Sequence, residues 1–99
     1  MLKILIVDDT KSVQVFVKSL LNKCNEIEVT SAYNGADAVD LLKSNDHFNL
    51  ILLDWEMPIL NGPDTFATLI DLGIKIPTIM MTTKNNPENI KKNARYWGF

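Results

Sequence analysis

The sequence predicts an α/β fold built on a doubly wound parallel sheet, and three observations carry that expectation. Four short apolar runs, at residues 2–7, 27–32, 49–54 and 78–82, have the length and composition of strands. The segments between them place apolar residues at helical spacing, so the order is β-α-β-α-β-α-β-α. Within the third run, Leu50-Ile51-Leu52-Leu53 is apolar at every position, as in a strand covered by helices on both faces. Crossovers between parallel strands of this kind are right-handed.

The first strand, LKILIV, ends at Asp8-Asp9, and Asp9 or Thr10 is placed to cap the helix that follows. That helix spans 11–22, with Val13, Val17, Leu20 and Leu21 expected to face inward. Residues 27–32 alternate Ile27, Val29 and Ser31 with Glu28, Thr30 and Ala32, a polarity that suits an edge strand. Asn34-Gly35 opens a turn into a helix at 36–43, with Ala38, Leu41 and Leu42 available inward. The third strand, 49–54, closes on Asp54. Met57-Pro58 and Asn61-Gly62 then mark a loop. Pro63 is tolerated in the first turn of the next helix, whose apolar side carries Phe66, Leu69 and Ile70 and which Gly73 ends. Pro77 introduces the fourth strand, with Met80 and Met81 as core residues. Pro87-Glu88 opens a last helical stretch to about residue 96, with Ile90 and Ala94 on one side.

Ninety-nine residues fit one domain with a modest core. A hydrophobic content of 46% with 22% charged residues is the balance of a globular domain. The net charge of −2, with no basic run, gives no nucleic-acid surface. The apolar run at 2–7 is too short for a signal core or a membrane span, and two acids stop it. Cys24 is the single cysteine and forms no internal disulfide, which fits a reducing cytoplasm; it reads as a partly buried residue near a helix end. His47, in the polar loop Asn45-Asp46-His47, pairs with nothing by spacing and reads as a surface residue.

In a parallel sheet all carboxyl ends share one edge, where such folds place their ligand sites. Asp8 and Asp9 end the first strand, Asp54 the third, and Thr82 and Thr83 the fourth, so three carboxylates and a hydroxyl converge there. Carboxylates that close raise one another's pKa unless a cation is present. Mg²⁺ suits such a site, because it prefers carboxylate oxygens and keeps water and phosphate oxygens in its shell. A carboxylate beside it is able to act as a nucleophile and form an aspartyl phosphate, in a transfer that depends on positioning and charge neutralisation. Taken singly, these residues are ordinary helix caps, turn acids and strand-end hydroxyls. Their coincidence on one edge is what points to a site.

ILIVDD, LILLDWEMPILNG and PTIMMTT resemble the signature segments of the receiver domain of bacterial two-component response regulators, over residue 2 to about residue 95. The resemblance implies a flavodoxin-like sheet of order 2-1-3-4-5, of which this chain supplies four strands in the order 2-1-3-4. It implies Asp54 as the phosphoacceptor and Thr82 as a switch hydroxyl. Asp8, Asp9 and Asp54 would hold Mg²⁺ together with the backbone carbonyl of Glu56, Asp9 being a more direct ligand than Asp8. The implied donor is a phosphohistidine on a histidine kinase or histidine phosphotransfer protein, and the implied output is a downstream protein target, in the cytoplasm, with no nucleic acid and no membrane involved. Such a module is not an enzyme beyond catalysing its own phosphorylation and dephosphorylation. Glu56 and Lys84 stand where the family tunes hydrolysis of the phosphoryl group; they read equally as a solvated ion pair. Trp55 reads as a packing residue.

The family also has a fifth strand ending in Lys-Pro and a fifth helix. This chain ends at Tyr96-Trp97-Gly98-Phe99 before either, and Lys84, Lys91 and Lys92 do not match that lysine. Residues 1–99 are therefore expected to form a single receiver domain, incomplete at the C-terminus, with the fourth strand as an open edge. An open apolar edge predicts self-association, by edge pairing or by exchange of the terminal helix, or else marginal stability as a monomer. The missing lysine predicts impaired phosphorylation. The alternative function is a truncated pseudo-receiver that serves as an interaction or dimerisation module without phosphoryl chemistry. A phosphatase-type hydrolase would need a second aspartate where Glu56 stands, and a flavin site would need a phosphate-cradling loop where Asp8-Asp9 stand.

Overall fold

The computed structural model describes residues 1–45 and 47–81, together with the backbone of residues 95–97. Its elements are β1 (Leu2–Val7), α1 (Lys11–Leu21), β2 (Ile27–Ala32), α2 (Gly35–Ser44), β3 (Leu50–Asp54), α3 (Gly62–Asp71), β4 (Thr78–Met81) and β5 (Arg95–Trp97). They form one sheet in the order β2-β1-β3-β4-β5. The first four strands are parallel, as their apolar runs and helical crossovers require.

The fifth strand corrects one expectation. The edge of β4 is not open along its length: β5 pairs with it antiparallel, with Thr78 opposite Trp97, Ile79 opposite Tyr96 and Met80 opposite Arg95. The physical reason is the one that predicted self-association. An edge strand leaves a row of unpaired N–H and C=O groups, and aromatic residues of the same chain, Tyr96 and Trp97, are good strand formers that pair with it. The predicted helix therefore does not extend to residue 96. Its remainder from Pro87, with Ile90 and Ala94, lies outside the described residues, as do Thr82, Thr83 and Lys84.

Right-handed crossovers dictate where the helices go. The chain moves from β1 outward to β2, then back across β1 to β3 and onward to β4. The reversal puts α1 on one face of the sheet and α2 and α3 on the other. The main core lies under α2 and α3, where Leu5, Val7, Ile51 and Leu53 of the sheet meet Leu42 and Leu69. Each of α2 and α3 begins at an asparagine. Asn34 Oδ1 accepts from the Asp37 N–H and Asn61 Oδ1 from the Asp64 N–H, both at 2.8 Å. Gly73 ends the third crossover helix at φ +75°, a left-handed position that glycine occupies at low cost.

Helix α1 departs from its predicted pattern. Its one buried residue is Gln14, whereas Leu20 is exposed and Val13, Val17 and Leu21 are half-buried. Among the described residues α1 is the only helix on its face, so only a narrow stripe is covered. Val15, Phe16 and Leu20 lie on its flank. In α3 Ile70 is likewise exposed and Thr65 takes the buried place, while Leu69 is buried as expected.

Candidate metal and phosphoacceptor site

The sheet register builds the site. Val7 lies opposite Leu53 in the parallel ladder, so the next rank sets Asp8 beside Asp54. Both acids follow the alternation onto the face opposite the main core, and both are buried. Asp9, one residue further along, is exposed. Each of the three offers a carboxylate oxygen, and these oxygens lie within 4.8 Å of one another.

Burial without a cation is unfavourable for such a group. Loss of solvent pushes the Asp54 carboxyl from 3.8 up to about 7, with further lift from the charges of Asp8 and Asp9, although the backbone N–H groups of Glu56 and Trp55 oppose the rise. Asp8 is also raised, first by burial and then by Asp9, against the Thr10 N–H that donates to its Oδ1 at 2.8 Å. The other oxygen of Asp8, Oδ2, is buried and has no hydrogen-bond partner. A cluster of hard, negative oxygens with an orphaned buried member is the donor set a divalent cation such as Mg²⁺ prefers. The residues present thus fit that ion.

The loop after Asp54 is braced on both sides. The Trp55 N–H donates to the Met81 carbonyl and the Gly62 N–H to the Trp55 carbonyl, each at 2.8 Å. Trp55 packs against the core, as its packing reading expected. A Cβ at Gly62 would land on the Asp54 carbonyl oxygen and 2.9 Å from Trp55 Cα, both backbone atoms that cannot swing aside. Gly62→Ala is therefore expected to destabilise the protein by about 1–3 kcal/mol, read as a lower denaturation midpoint. Between these braces the Leu60 N–H donates to the Pro58 carbonyl at 2.8 Å across Ile59, whose φ is +72°. This is a γ-turn of the strained hand, held by an exposed β-branched residue. Ile59→Gly is expected to stabilise the protein by about 1 kcal/mol, checked by urea denaturation.

Of the residues singled out in the sequence, Asp8, Asp9 and Asp54 come together. Glu56 is exposed, with its backbone N–H directed to Asp54. Thr82 follows Met81, which pairs with Asp54 in the ladder, and itself lies outside the described residues. His47 and Cys24 are exposed and outside the cluster. Gln14 is the residue sequence reasoning missed. Its side-chain amide reaches the Asp8 carbonyl at 3.1 Å. The one available signal was a lone amide flanked by valines in an otherwise apolar stretch of α1.

Three acids gathered at the carboxyl edge of the central strands of a doubly wound α/β sheet stand where such sheets place their ligand sites. The chain belongs to the response regulator receiver domain family, whose family model matches residues 4–96. It is 34% identical over 61 residues to a chemotaxis protein CheY homologue of Campylobacter jejuni, covering 62% of this chain and 47% of that protein. It is 31% identical to chemotaxis protein CheY1 of Helicobacter pylori over 91 residues, 90% of this chain and 73% of that one. The chain thus spans about half the length of the first of these relatives. Among solved structures, the response regulator TrrA of Thermotoga maritima in complex with Mg(2+)-BeF superposes with a TM-score of 0.76 at 27% identity, over 86% of this chain and 72% of that one. No helix among the described residues is long and apolar enough to cross a membrane.

Proposed function

We propose that the chain accepts a phosphoryl group on Asp54 from a phosphohistidine donor, carried by a histidine kinase or a histidine phosphotransfer protein. The observation that supports this best is the buried Asp54 carboxyl with the oxygens of Asp8 and Asp9 within 4.8 Å. Asp8, Asp9 and Asp54, with the backbone carbonyl of Glu56, would hold Mg²⁺, and TrrA, the relative in complex with Mg(2+)-BeF, shares the fold that presents them. When bound, the ion neutralises the acid cluster and the charge on the phosphoryl oxygens.

The residues of the chain do the rest. An Asp54 oxygen attacks phosphorus, a new O–P bond forms, the donor N–P bond breaks, and the electron pair stays on the imidazole nitrogen. The N–H groups of Glu56 and Trp55 favour the ionised carboxylate that this step needs. The paired β4 edge and the core under Leu53 hold the acid in register. Thr82 is proposed as the hydroxyl that answers the new phosphoryl group.

A second reading, an interaction module without phosphoryl chemistry, draws on the strand beside β4. That strand is antiparallel and spans Arg95–Trp97, so it contributes no lysine to the carboxyl edge. Intact mass after incubation with acetyl phosphate and MgCl₂ separates the two. The expected result is a single phosphoryl adduct on the native chain that is absent from Asp54→Ala. An unmodified native chain with a folded circular-dichroism spectrum would favour the interaction module.

A further inference from the structure

We propose that Gln14 is a positioning residue for the acid pocket: its side-chain amide holds the Asp8 carbonyl and so orients the Asp8–Asp9 carboxylates for a divalent cation. The inference rests on the reading of that pocket as a Mg²⁺ site.

Gln14 is 1% exposed. Its Nε2 lies 3.2 Å from the Ile6 carbonyl oxygen, 3.1 Å from that of Asp8 and 2.8 Å from that of Ala32. The parallel ladder between β1 and β2 ends at Val7 opposite Ala32, and its last bond runs from the Asp8 N–H to the Ala32 carbonyl at 3.1 Å. Past that point the Asp8 carbonyl has left the β1–β2 ladder. Gln14, one turn into α1, supplies a donor there. The peptide joining Asp8 to Asp9 is therefore gripped by Gln14 at its carbonyl, while the Thr10 N–H grips the Asp8 carboxylate at 2.8 Å. Two independent clamps orient two adjacent acids.

Packing alone does not account for this residue. A buried amide costs free energy unless its atoms are paired. Gln14 Oε1 is buried with no hydrogen-bond partner, and Ser31 Oγ on the adjoining strand is in the same condition. An apolar side chain would fill the stripe of α1 without that penalty. The amide is useful for what Nε2 holds, namely the carbonyls at the ends of β1 and β2. Support of this kind behind metal ligands is worth roughly ten- to hundredfold in metal affinity.

The test is calorimetric titration of the full chain and of Gln14→Met with MgCl₂ at neutral pH. Methionine keeps the length and removes the donor. The expected result is a Kd raised by roughly tenfold or more in a variant that still unfolds cooperatively. A Kd unchanged in folded Gln14→Met overturns the proposal. If Gln14→Met does not fold, the side-chain ¹⁵N–¹H₂ resonances of Gln14 in the native chain decide. A displacement that saturates with the same Kd as the calorimetric heat supports a link to the pocket, and resonances indifferent to Mg²⁺ overturn it. A native chain that takes up no Mg²⁺ removes the pocket reading and the proposal together. That outcome is distinct from a defect confined to the variant.

Discussion

The metal-free protein is expected to lose stability as the pH rises from about 4 to about 7, and Asp54→Asn is expected to abolish most of that loss. Asp54 is buried, and its carboxyl titrates near 7 in the folded chain instead of 3.8. Between those values the folded state holds a proton that the unfolded state has released. Stability then falls as pH rises, because the folded state binds more protons than the unfolded one. Above about 7 both states are ionised and the loss is complete; below 3.8 both are protonated and it is absent. A rise of this size corresponds to roughly 4 kcal/mol at 1.36 kcal/mol per pH unit. Asp8 is raised in the same direction and adds to the slope. Urea midpoints at mildly acidic and mildly alkaline pH, in the presence of a chelator, measure the effect. Asp54→Asn should flatten the profile and raise the alkaline midpoint. Saturating Mg²⁺ should raise that midpoint too, the added stability being about 2.7 kcal/mol at a hundred times its Kd. A variant as pH-sensitive as its parent would place the burden elsewhere.

Leu53→Ala is expected to destabilise the protein by about 2–5 kcal/mol. Leu53 is wholly buried on β3, between Val7 and Met80 of the neighbouring strands. Truncation removes apolar area and leaves a cavity that a β-sheet centre closes poorly, since its backbone is held on both sides. The residue also precedes Asp54, so the same cavity loosens the strand end that carries the acceptor. Leu53→Met, which keeps the volume, should cost less than about 1.5 kcal/mol. Leu20→Ala, on the exposed flank of α1, should stay within about 0.5 kcal/mol. Equilibrium denaturation of the three variants orders them.

Much of the site was legible in the chain because its signals are local. An acid directly after an apolar run lies at a strand end whatever the rest of the fold does, and parallel strands put those ends on one edge. Asp8, Asp9 and Asp54 follow from that alone. Which of the two adjacent acids is buried does not. Strand alternation and the rank set by Val7 and Leu53 put Asp8 on the face of Asp54, and Asp9 falls outside the sheet. Gln14 was illegible for a related reason. Its partners Ile6, Asp8 and Ala32 are up to 18 residues away in sequence, so no periodicity reveals them.

The residues by themselves determined the alternation of strands and helices, the parallel sheet, the turns at Asn34-Gly35 and Asn61-Gly62 and the identity of the clustered acids. Each of these rests on side-chain period, turn chemistry or strand-end position, which neighbouring residues specify. The order 2-1-3-4 came from the family resemblance. The tertiary structure alone decided how the helices cover the sheet, which leaves Leu20 exposed and Gln14 buried, and what pairs with the edge of β4. Those outcomes depend on which distant segment reaches a surface first and satisfies its backbone groups. At β4 the segment is Arg95–Trp97, running antiparallel where a parallel strand or a second molecule was the alternative.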